Sequence, residues 1–228
     1  MFFMKEISVV IPAYNEEKNI VKCIEKAFNA FSTLNVQGEV IVSDNNSTDR
    51  TAELAKNSGA KVVTCSEQGY GSALRSGFEN ASGKYIIMGD ADDSYDFSEI
   101  PRFYKEISDV DMVTGSRLRG KIQKGAMPFL HRYLGTPVLT LVLNLLYGTK
   151  VSDSQCGMRM FKRSCLEKIK FETTGMEFAS ELFVLFAENS LSIKEIPIGY
   201  YAVEGRKSKL NPFRDGFRHL FYLVLHKI

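Results

Sequence analysis

Several common signals are missing from this chain of 228 residues, and each absence excludes a class of protein. The four cysteines lie far apart and form no CxxC pair, which argues against a zinc site or a disulfide framework and indicates a reduced, cytosolic chain. The net charge of +2 is too small to indicate nucleic-acid binding. Neither a GxGxxG fingerprint nor a P-loop is present.

Long apolar runs are also missing. A transmembrane helix needs roughly 18 consecutive apolar residues, and the longest candidate, residues 138–147, is interrupted by Thr140 and Asn144. The first five residues, MFFMK, lead directly into a predicted strand and lack the features of a signal peptide. The length predicts one domain, or one domain with an extension.

The first part of the chain alternates between β-rich runs and helical spacing. Strands are predicted at residues 7–11, 39–43, 62–63 and 85–88, and helices at 20–31, after the NNST turn up to Gly59, and at 72–80. Asn15 is a candidate N-cap for the first helix, and Cys23 lies on its apolar face as a core residue. This order predicts an α/β fold with a mostly parallel sheet covered by helices.

After residue 110 the predicted strands and helices alternate less regularly. The patterns predict strands at 111–114 and 193–201, a long apolar helix at 128–147, an amphipathic helix at 175–189, a basic loop at 203–211 and a final helix at 213–228. Glu177 and Glu181 are four residues apart on one helix face, and we expect a pair that faces solvent.

Asp90-Ala91-Asp92 is the most informative motif. It follows the apolar run YIIM, which predicts a buried strand that delivers carboxylates to its C-terminal end, where open α/β sheets bind ligands. Alternate residues of a strand point the same way, so Asp90 and Asp92 can face one hard cation whose shell is completed by substrate phosphates. A solvated acidic turn is the alternative.

Two further loops are predicted at the same edge of the sheet. Pro12, Tyr14 and Glu16 lie where the first strand meets a helix N-terminus, a natural place for a nucleotide, although a helix cap with an exposed aromatic is the alternative. Asp44 follows the second strand and can accept hydrogen bonds from a base or sugar, whereas Ser47 and Asp49 are better placed to cap the next helix. The segment GYGS at 69–72 allows either a close approach of backbone to a ligand or a tight turn.

Seven segments together carry a family resemblance. In chain order, VVIPAYNEEKNI, SDNNSTDRT, GYGSALRSG, GDADD and TGSR resemble inverting family 2 glycosyltransferases with a GT-A fold. GAMPFLHRYLGTPVLTLVLNLLYGTKVSDSQCGMRMF and GRKSKLNPFRDGFRHL narrow the resemblance to polyprenyl-phosphate sugar synthases, the dolichyl-phosphate glucose and mannose synthase group. The resemblance implies a GT-A domain over residues 1–211, including an interfacial helix at 128–147, and a C-terminal amphipathic helix at 212–228.

The resemblance also implies site residues. The nucleotide pocket would be lined by Pro12, Tyr14, Glu16 and Asp44 with Gly71 and Arg75 beside it, and Mg²⁺ or Mn²⁺ on the donor diphosphate would be held by Asp90 and Asp92. The chain departs from the family twice: the usual acidic pair is Asp44-Asn45 here, and Ser94 stands where mannose synthases have Gln. Asp93 adds a charge beside Ser94. The third metal ligand is therefore left open.

The residues that bind the acceptor are predicted from its charge. A lipid phosphate is an anion, and Arg binds phosphate bidentately, so we expect Arg117, Arg132 and Arg206 to surround it. Lys209, on the same basic loop as Arg206 and Lys207, is predicted to bind the phosphate as well. For Lys207 and Lys209, solvated surface charge is the alternative. Asp153 lies in a segment that matches the acceptor side of the family, and we expect it to position sugar or acceptor; with Asp92 and the three arginines it forms the predicted catalytic set.

The two apolar helices, 128–147 and 213–228, are typical of interfacial helices at the cytoplasmic face of a membrane; core or dimer-forming helices are the alternative. The predicted activity is transfer of a hexose, with inversion, from UDP-glucose or UDP-N-acetylglucosamine to dolichyl or another polyprenyl phosphate. A phosphate acceptor needs no general base, whereas a hydroxyl acceptor does. Three alternatives remain: GDP-mannose as donor, a sugar hydroxyl as acceptor with Asp153 as base, and a nucleotide-sugar binding subunit without turnover. The oligomeric state is left open.

Overall fold

A computed structural model of the chain describes residues 5–203 and 212–227. Its strands form one seven-stranded sheet in the order β3-β2-β1-β4-β6-β5-β7. The strands are β1 (Ile7–Ala13), β2 (Gly38–Asp44), β3 (Lys61–Thr64), β4 (Tyr85–Met88), β5 (Met112–Ser116), β6 (Arg159–Lys162) and β7 (Ile193–Pro197). The sheet is mostly parallel, as predicted, because only β6 runs antiparallel to its neighbours β4 and β5.

Helices cover both faces of the sheet. They are α1 (Ile20–Leu34), α2 (Thr51–Asn57), α3 (Tyr70–Glu79), α4 (Ile100–Glu106), α5 (Thr136–Tyr147), α6 (Phe178–Glu188) and α7 (Pro212–Leu225). Successive strand side chains point to opposite faces, so Val9 packs into the core under α1 and α4, and Val10 packs into the core under α3 and α6. The predicted strand and helix alternation up to residue 88 is therefore confirmed.

The start of α1 differs from the prediction. The helix begins at Ile20 with Asn19 in the N-cap position, five residues after Asn15. Asn15 instead adopts a left-handed φ of 54°, and its side-chain oxygen accepts the Thr48 N–H at 2.8 Å. Asn is one of the few residues that tolerate this backbone region, so Asn15 closes a loop and does not cap the helix. Cys23 is buried on the inner face of α1, as predicted.

The predicted long helix at 128–147 is present with one irregularity. Residues His131–Gly135 form a π-helical turn that leads into α5. Helix α7 packs beside α5, where the Tyr147 hydroxyl donates to the Leu223 carbonyl at 2.9 Å, and against α6. Within residues 5–203 and 212–227, no helix has both the length and the apolar character required to cross a bilayer.

Candidate active site

The loops after β1 and β2 form one hydrogen-bonded unit at the carboxyl edge of the sheet. The Asn15 N–H donates to Ser47 Oγ at 3.0 Å, and the Glu17 N–H donates to Asp49 Oδ2 at 3.2 Å. Asp49 Oδ1 also accepts the Thr51 N–H at 2.9 Å at the start of α2, the local role predicted for it. Ser47 ties the two loops together and does not cap the helix. The unit holds the predicted nucleotide residues on a fixed frame.

Asp44 is the buried acid of this frame. It pairs in register with Ala13, which places Asp44 beside the residue that precedes Tyr14. Its Oδ2 accepts the Ser47 N–H at 3.3 Å, whereas its Oδ1 is buried without a hydrogen-bond partner. A buried acceptor left without a partner costs free energy, so a donor group on a ligand would relieve it. The side chain of Tyr14 is exposed, and the Glu16 N–H donates to Thr51 Oγ1 at 2.8 Å.

Asn45, the departure from the acidic pair, has a structural role. Its Oδ1 accepts the Gly69 N–H at 2.9 Å, and its Nδ2 donates to the Glu67 carbonyl at 3.0 Å. A carboxylate is acceptor-only and could not make both bonds. The amide therefore fixes the 67–69 segment against the end of β2.

Gly71 packs against protein backbone. Its N–H donates to the Thr174 carbonyl at 2.9 Å, and a Cβ on Gly71 would lie 2.7 Å from the Thr173 carbonyl oxygen. The close approach that the GYGS segment makes is therefore to the 173–174 backbone. Arg75 is partly exposed and lies 3.9 Å from the Glu67 carboxylate in an ion pair.

A cavity of about 290 Å³ lies between the sheet edge and helices α5, α6 and α7. Its polar wall includes Tyr70, Asp90, Arg117, Gln155, Asp215 and His219. The apolar part of its wall includes Met127, Pro128, Leu139 and Met176. Apart from Asp90, the residues predicted to bind the nucleotide are absent from this lining. The cavity is therefore a second compartment of the candidate site.

Asp90 lies at the sheet end of the cavity, immediately after β4. Its Oδ1 accepts the Tyr70 hydroxyl at 3.1 Å, and burial, with the Asp90 charge, raises the pKa of Tyr70 well above its ordinary value. Tyr70 therefore remains a donor at neutral pH. On the other side, a Cβ on Gly157 would lie 3.1 Å from Asp90 Oδ2, so only glycine leaves this side of the carboxylate uncrowded.

Asp92 is buried, and its Oδ1 accepts the Ser94 N–H at 3.0 Å, which fixes the turn after β4. The two carboxylates supply hard oxygen donors that suit Mg²⁺ or Mn²⁺. In the described parts of the chain, no group of three His, Cys, Asp or Glu side chains forms a metal cluster. The two carboxylates therefore fit part of the ligand set of one divalent cation. Asp93 turns away to an ion pair with Lys26 at 2.7 Å.

Arg117 and Asp153 form a buried bidentate pair. Arg117 Nε donates to Asp153 Oδ2 and its Nη2 donates to Oδ1, both at 2.8 Å, and the Arg117 N–H also donates to Oδ2 at 2.9 Å. Asp153 is fully buried and both of its oxygens are engaged. Asp153 therefore holds Arg117, which lines the cavity, and that it positions sugar or acceptor stays a prediction, with Arg117 as the group through which it would act.

The charges of this pair are mutually stabilised. Burial alone would raise the pKa of the Asp153 carboxyl, but the charge and hydrogen bonds of Arg117 outweigh burial and hold that pKa below its usual value. For Arg117, burial would lower the pKa, but Asp153 raises it well above the ordinary value. Both groups are therefore ionised at neutral pH.

The other predicted acceptor arginines are placed differently. Arg132 is absent from the cavity lining, and its guanidinium lies 5.3 Å from the centre of the Tyr133 ring. Its neighbour His131, the first residue of the π-helical turn, lines the cavity instead. Arg206, Lys207 and Lys209 lie outside the described residues.

Glu177 and Glu181 do not face solvent, so that prediction is wrong. Glu181 is buried and accepts the Glu172 N–H at 2.6 Å, which fixes the 172–173 segment. Glu177 is also buried, and its Oε1 accepts from Arg218 of α7 at 2.7 Å. The two acids hold α6 to neighbouring segments through tertiary hydrogen bonds. Their spacing in the sequence cannot indicate such partners.

Arg159 is a buried cation that the sequence reasoning missed. Its guanidinium donates to the carbonyls of Cys156, Ala179 and Ser154 at 2.7 to 2.9 Å. It thereby fixes the loop that contains Gln155 and Gly157 at the cavity wall. The sequence signal for a buried arginine is a single Arg within the apolar run MRMF. The same Arg interrupts the apolar pattern, so that strand β6 was not predicted.

The chain matches the model of Glycosyl transferase family 2 over residues 8–170. The chain belongs to this family. It is 45% identical over 222 residues to the low-salt glycan biosynthesis hexosyltransferase Agl6 of Haloferax volcanii, covering 96% of this chain and 53% of that protein. It therefore spans about half the length of Agl6. It is 34% identical to the dolichyl-phosphate hexose transferase of the same organism, covering 92% and 89% of the two chains.

Solved structures support the same fold. The glucosyl-3-phosphoglycerate synthase of Mycobacterium tuberculosis superposes with a TM-score of 0.75 at 21% identity, covering 98% of this chain and 80% of that one. Its complex with Mn²⁺, UDP and phosphoglyceric acid gives a TM-score of 0.74 at 24% identity, covering 98% and 78%. The GT-A fold expected for this glycosyltransferase family is thereby confirmed.

Proposed function

We propose that this family 2 glycosyltransferase moves a hexose from a nucleotide sugar to dolichyl or another polyprenyl phosphate, with inversion at the anomeric carbon. The observation that best supports the proposal is that α5 and α7 each have two chemically distinct faces. One face of each helix lines the cavity, and the opposite face is apolar and exposed. A site for a water-soluble donor and a lipid acceptor requires this combination.

The two faces are distinct in both helices. In α5, Thr136 and Leu139 line the cavity, whereas Leu141 and Leu145 are exposed. In α7, Gly216 and His219 line it, and large apolar side chains on the other face are exposed, namely Phe217, Phe221, Val224 and Leu225. The π-helical turn before α5 adds Tyr133 and Leu134. Exposed apolar patches of this kind mark interaction sites.

The interaction we propose is with a membrane surface. Arg214 borders the apolar face of α7 with a largely exposed side chain. Arg218, beside that face, is half-exposed and paired with Glu177, and Lys227 follows the helix. Basic residues near an anionic leaflet contribute about 1 kcal/mol each. Helices with apolar and basic residues arranged in this way lie in the headgroup region. Peripheral binding at the cytoplasmic leaflet would bring a lipid phosphate to the cavity.

The reaction then uses residues of both compartments. Tyr14, Glu16 and Asp44 hold the nucleotide, with Asp44 Oδ1 accepting from the base. Asp90 and Asp92 hold Mg²⁺ or Mn²⁺, which when bound neutralises charge on the leaving diphosphate. Arg117, fixed by Asp153, attracts the acceptor phosphate. A phosphate oxygen forms the bond to the anomeric carbon as the bond to the donor diphosphate breaks.

No general base is needed for this step, and this favours a phosphate over a hydroxyl acceptor. The phosphate already carries negative charge at neutral pH. Asp153, the base that a hydroxyl acceptor would need, is buried against Arg117 with both oxygens engaged. The dolichyl-phosphate activities in the names of relatives point the same way, including the dolichyl-phosphate beta-glucosyltransferase of Saccharomyces cerevisiae, 27% identical over 90% of this chain and 69% of that protein.

UDP-glucose or UDP-N-acetylglucosamine is the donor we propose, and GDP-mannose is the second candidate. The test is transfer of radiolabel from each donor to dolichyl phosphate in the presence of Mg²⁺, Mn²⁺ or chelator. We expect a labelled lipid from one donor, lost with chelator and in Asp90→Asn. Donor binding without any lipid product would instead support a nucleotide-sugar binding subunit without turnover.

A further inference from the structure

Helix α7 contributes a polar pair to the cavity that the proposed reaction does not use. Asp215 and His219 are four residues apart on one face of α7, and both line the cavity although both are almost fully buried. Between them, Gly216 also lines the cavity, and a Cβ added there would meet no atom of residues 5–203 or 212–227 within 4 Å.

His219 Nδ1 is held by a hydrogen bond to Ser180 of α6. Ser180 Oγ lies 2.8 Å from Nδ1, and Gln155 Nε2 donates to Ser154 Oγ at 3.1 Å and to Ser180 Oγ at 3.4 Å. With Ser180 as the donor to Nδ1, the ring proton is on Nε2.

The ring is also held neutral. Burial lowers the pKa of His219 from 6.5 to about 4, although the Glu177 and Asp215 carboxylates oppose that change. Nε2 makes no hydrogen bond to the residues that the structure describes, and the side chain belongs to the cavity wall. Near neutral pH the ring is uncharged, and with Ser180 as the donor to Nδ1 its Nε2–H is a donor at the cavity wall.

We propose that Asp215 and His219 read the hexose of the donor, with His219 Nε2–H donating to a sugar oxygen and the Asp215 carboxylate accepting from a sugar hydroxyl. This inference rests on the proposed function. A neutral donor and a carboxylate acceptor one helical turn apart complement hydroxyl groups, each of which donates and accepts. Helix α7 therefore contributes to sugar selectivity.

A site built to hydrogen-bond a substrate hydroxyl discriminates strongly against an analogue that lacks it, because the polar groups of the site are left without partners. Substituting His219 by Gln removes the ring and its hydrogen bond to Ser180. We expect the preference between epimeric or N-acetylated UDP-hexoses to fall by about tenfold or more, while affinity for UDP alone is unchanged. A residue that only stabilised the fold would reduce all donors together.

The test uses the full chain labelled with ¹⁵N-histidine, which carries only three histidines. At pH 7 we expect the His219 signal of the Nε2–H tautomer. UDP-glucose, UDP-N-acetylglucosamine or GDP-mannose, whichever is the donor, should shift the Nε2 resonance, and the corresponding free nucleotide should not. In Ser180→Ala, the His219 signal should show mixed tautomers. His226→Gln is the control, since His226 follows the end of α7 and lies at the surface beside Glu188.

The outcomes separate the two proposals. An Nε2 shift that requires the sugar, together with altered selectivity in His219→Gln and unaltered selectivity in His226→Gln, supports the inference. If a nucleotide sugar and its free nucleotide both bind and change His219 equally, or leave it unchanged, the inference is overturned and the proposed function stands. If no nucleotide binds at all, the proposed function fails, and the inference fails with it.

Discussion

Asp153 presents both of its carboxylate oxygens to Arg117, at 2.8 Å from Nε and 2.8 Å from Nη2, within a fully buried segment. The pair converts an arginine in the cavity wall into a cation of fixed orientation. Because the Nε and Nη2 edge of the guanidinium is already held, the group can meet a phosphate through its remaining N–H donors with little reorganisation. The value of the pair lies in orientation, since a buried ion pair by itself is weak evidence for stability.

Removing the charge of Asp153 should therefore damage both fold and acceptor binding. Asp153→Asn leaves the buried Arg117 without its counter-charge, which typically costs about 3–5 kcal/mol of unfolding free energy. Urea unfolding measures this loss, and the KM for acceptor should rise more than the KM for donor. Glu53→Gln is the matched control, because Glu53 forms an exposed pair with Arg50. Unchanged stability in Asp153→Asn would contradict the pairing.

Asn45→Asp tests why the chain departs from the usual acidic pair. The carboxylate loses the donated bond to the Glu67 carbonyl and places two acceptors opposite each other. We expect a loss of about 1 kcal/mol in unfolding free energy, with weaker binding of UDP measured by calorimetry. Asn46→Asp is the control, since Asn46 is exposed and has a left-handed φ of 64° that Asp also tolerates. If Asn45→Asp and Asn46→Asp had the same unfolding free energy and the same affinity for UDP, Asn45 would not have the proposed structural role.

The exposed apolar faces of α5 and α7 should matter for membranes and not for folding. Leu145, Phe217 and Phe221 are 74%, 69% and 67% exposed, so replacing all three by Ser should leave the thermal midpoint almost unchanged. Co-sedimentation with vesicles that contain anionic lipid should fall at least tenfold. If the triple variant sedimented like the original chain, another surface would have to meet the membrane.

Burial of His219 makes stability pH-dependent. Its pKa is lowered to about 4 in the folded chain from an ordinary 6.5, so as pH falls from 6.5 the unfolded state binds the proton first. Stability from this group is complete above pH 6.5 and is lost on the way to pH 4, by up to about 3 kcal/mol. Urea unfolding between pH 7 and 4.5 should show a smaller loss in His219→Gln. Parallel curves for the two chains would contradict this burial effect.

The sequence predicted the parallel half of the sheet because its strands are apolar and separated by clear turns and helices. It missed β6, where the buried Arg159 satisfies its charge with three carbonyls and so breaks the apolar pattern. Asp90 was found because a carboxylate after a buried strand is a local signal. The pairing of Arg117 with Asp153 joins residues 36 positions apart, and the roles of Glu181 and His219 depend on tertiary packing, which local patterns do not contain.

The most direct test compares acceptors at a fixed donor. The full chain is incubated with the donor that binds, the preferred divalent cation, and vesicles containing either dolichyl phosphate or dolichol, which ends in a hydroxyl. We predict labelled lipid with dolichyl phosphate alone, and loss of that product in Arg117→Lys, which cannot form the bidentate contact. Transfer to dolichol, or to neither lipid while a soluble sugar hydroxyl accepts the hexose, would contradict the assignment of a phosphate acceptor.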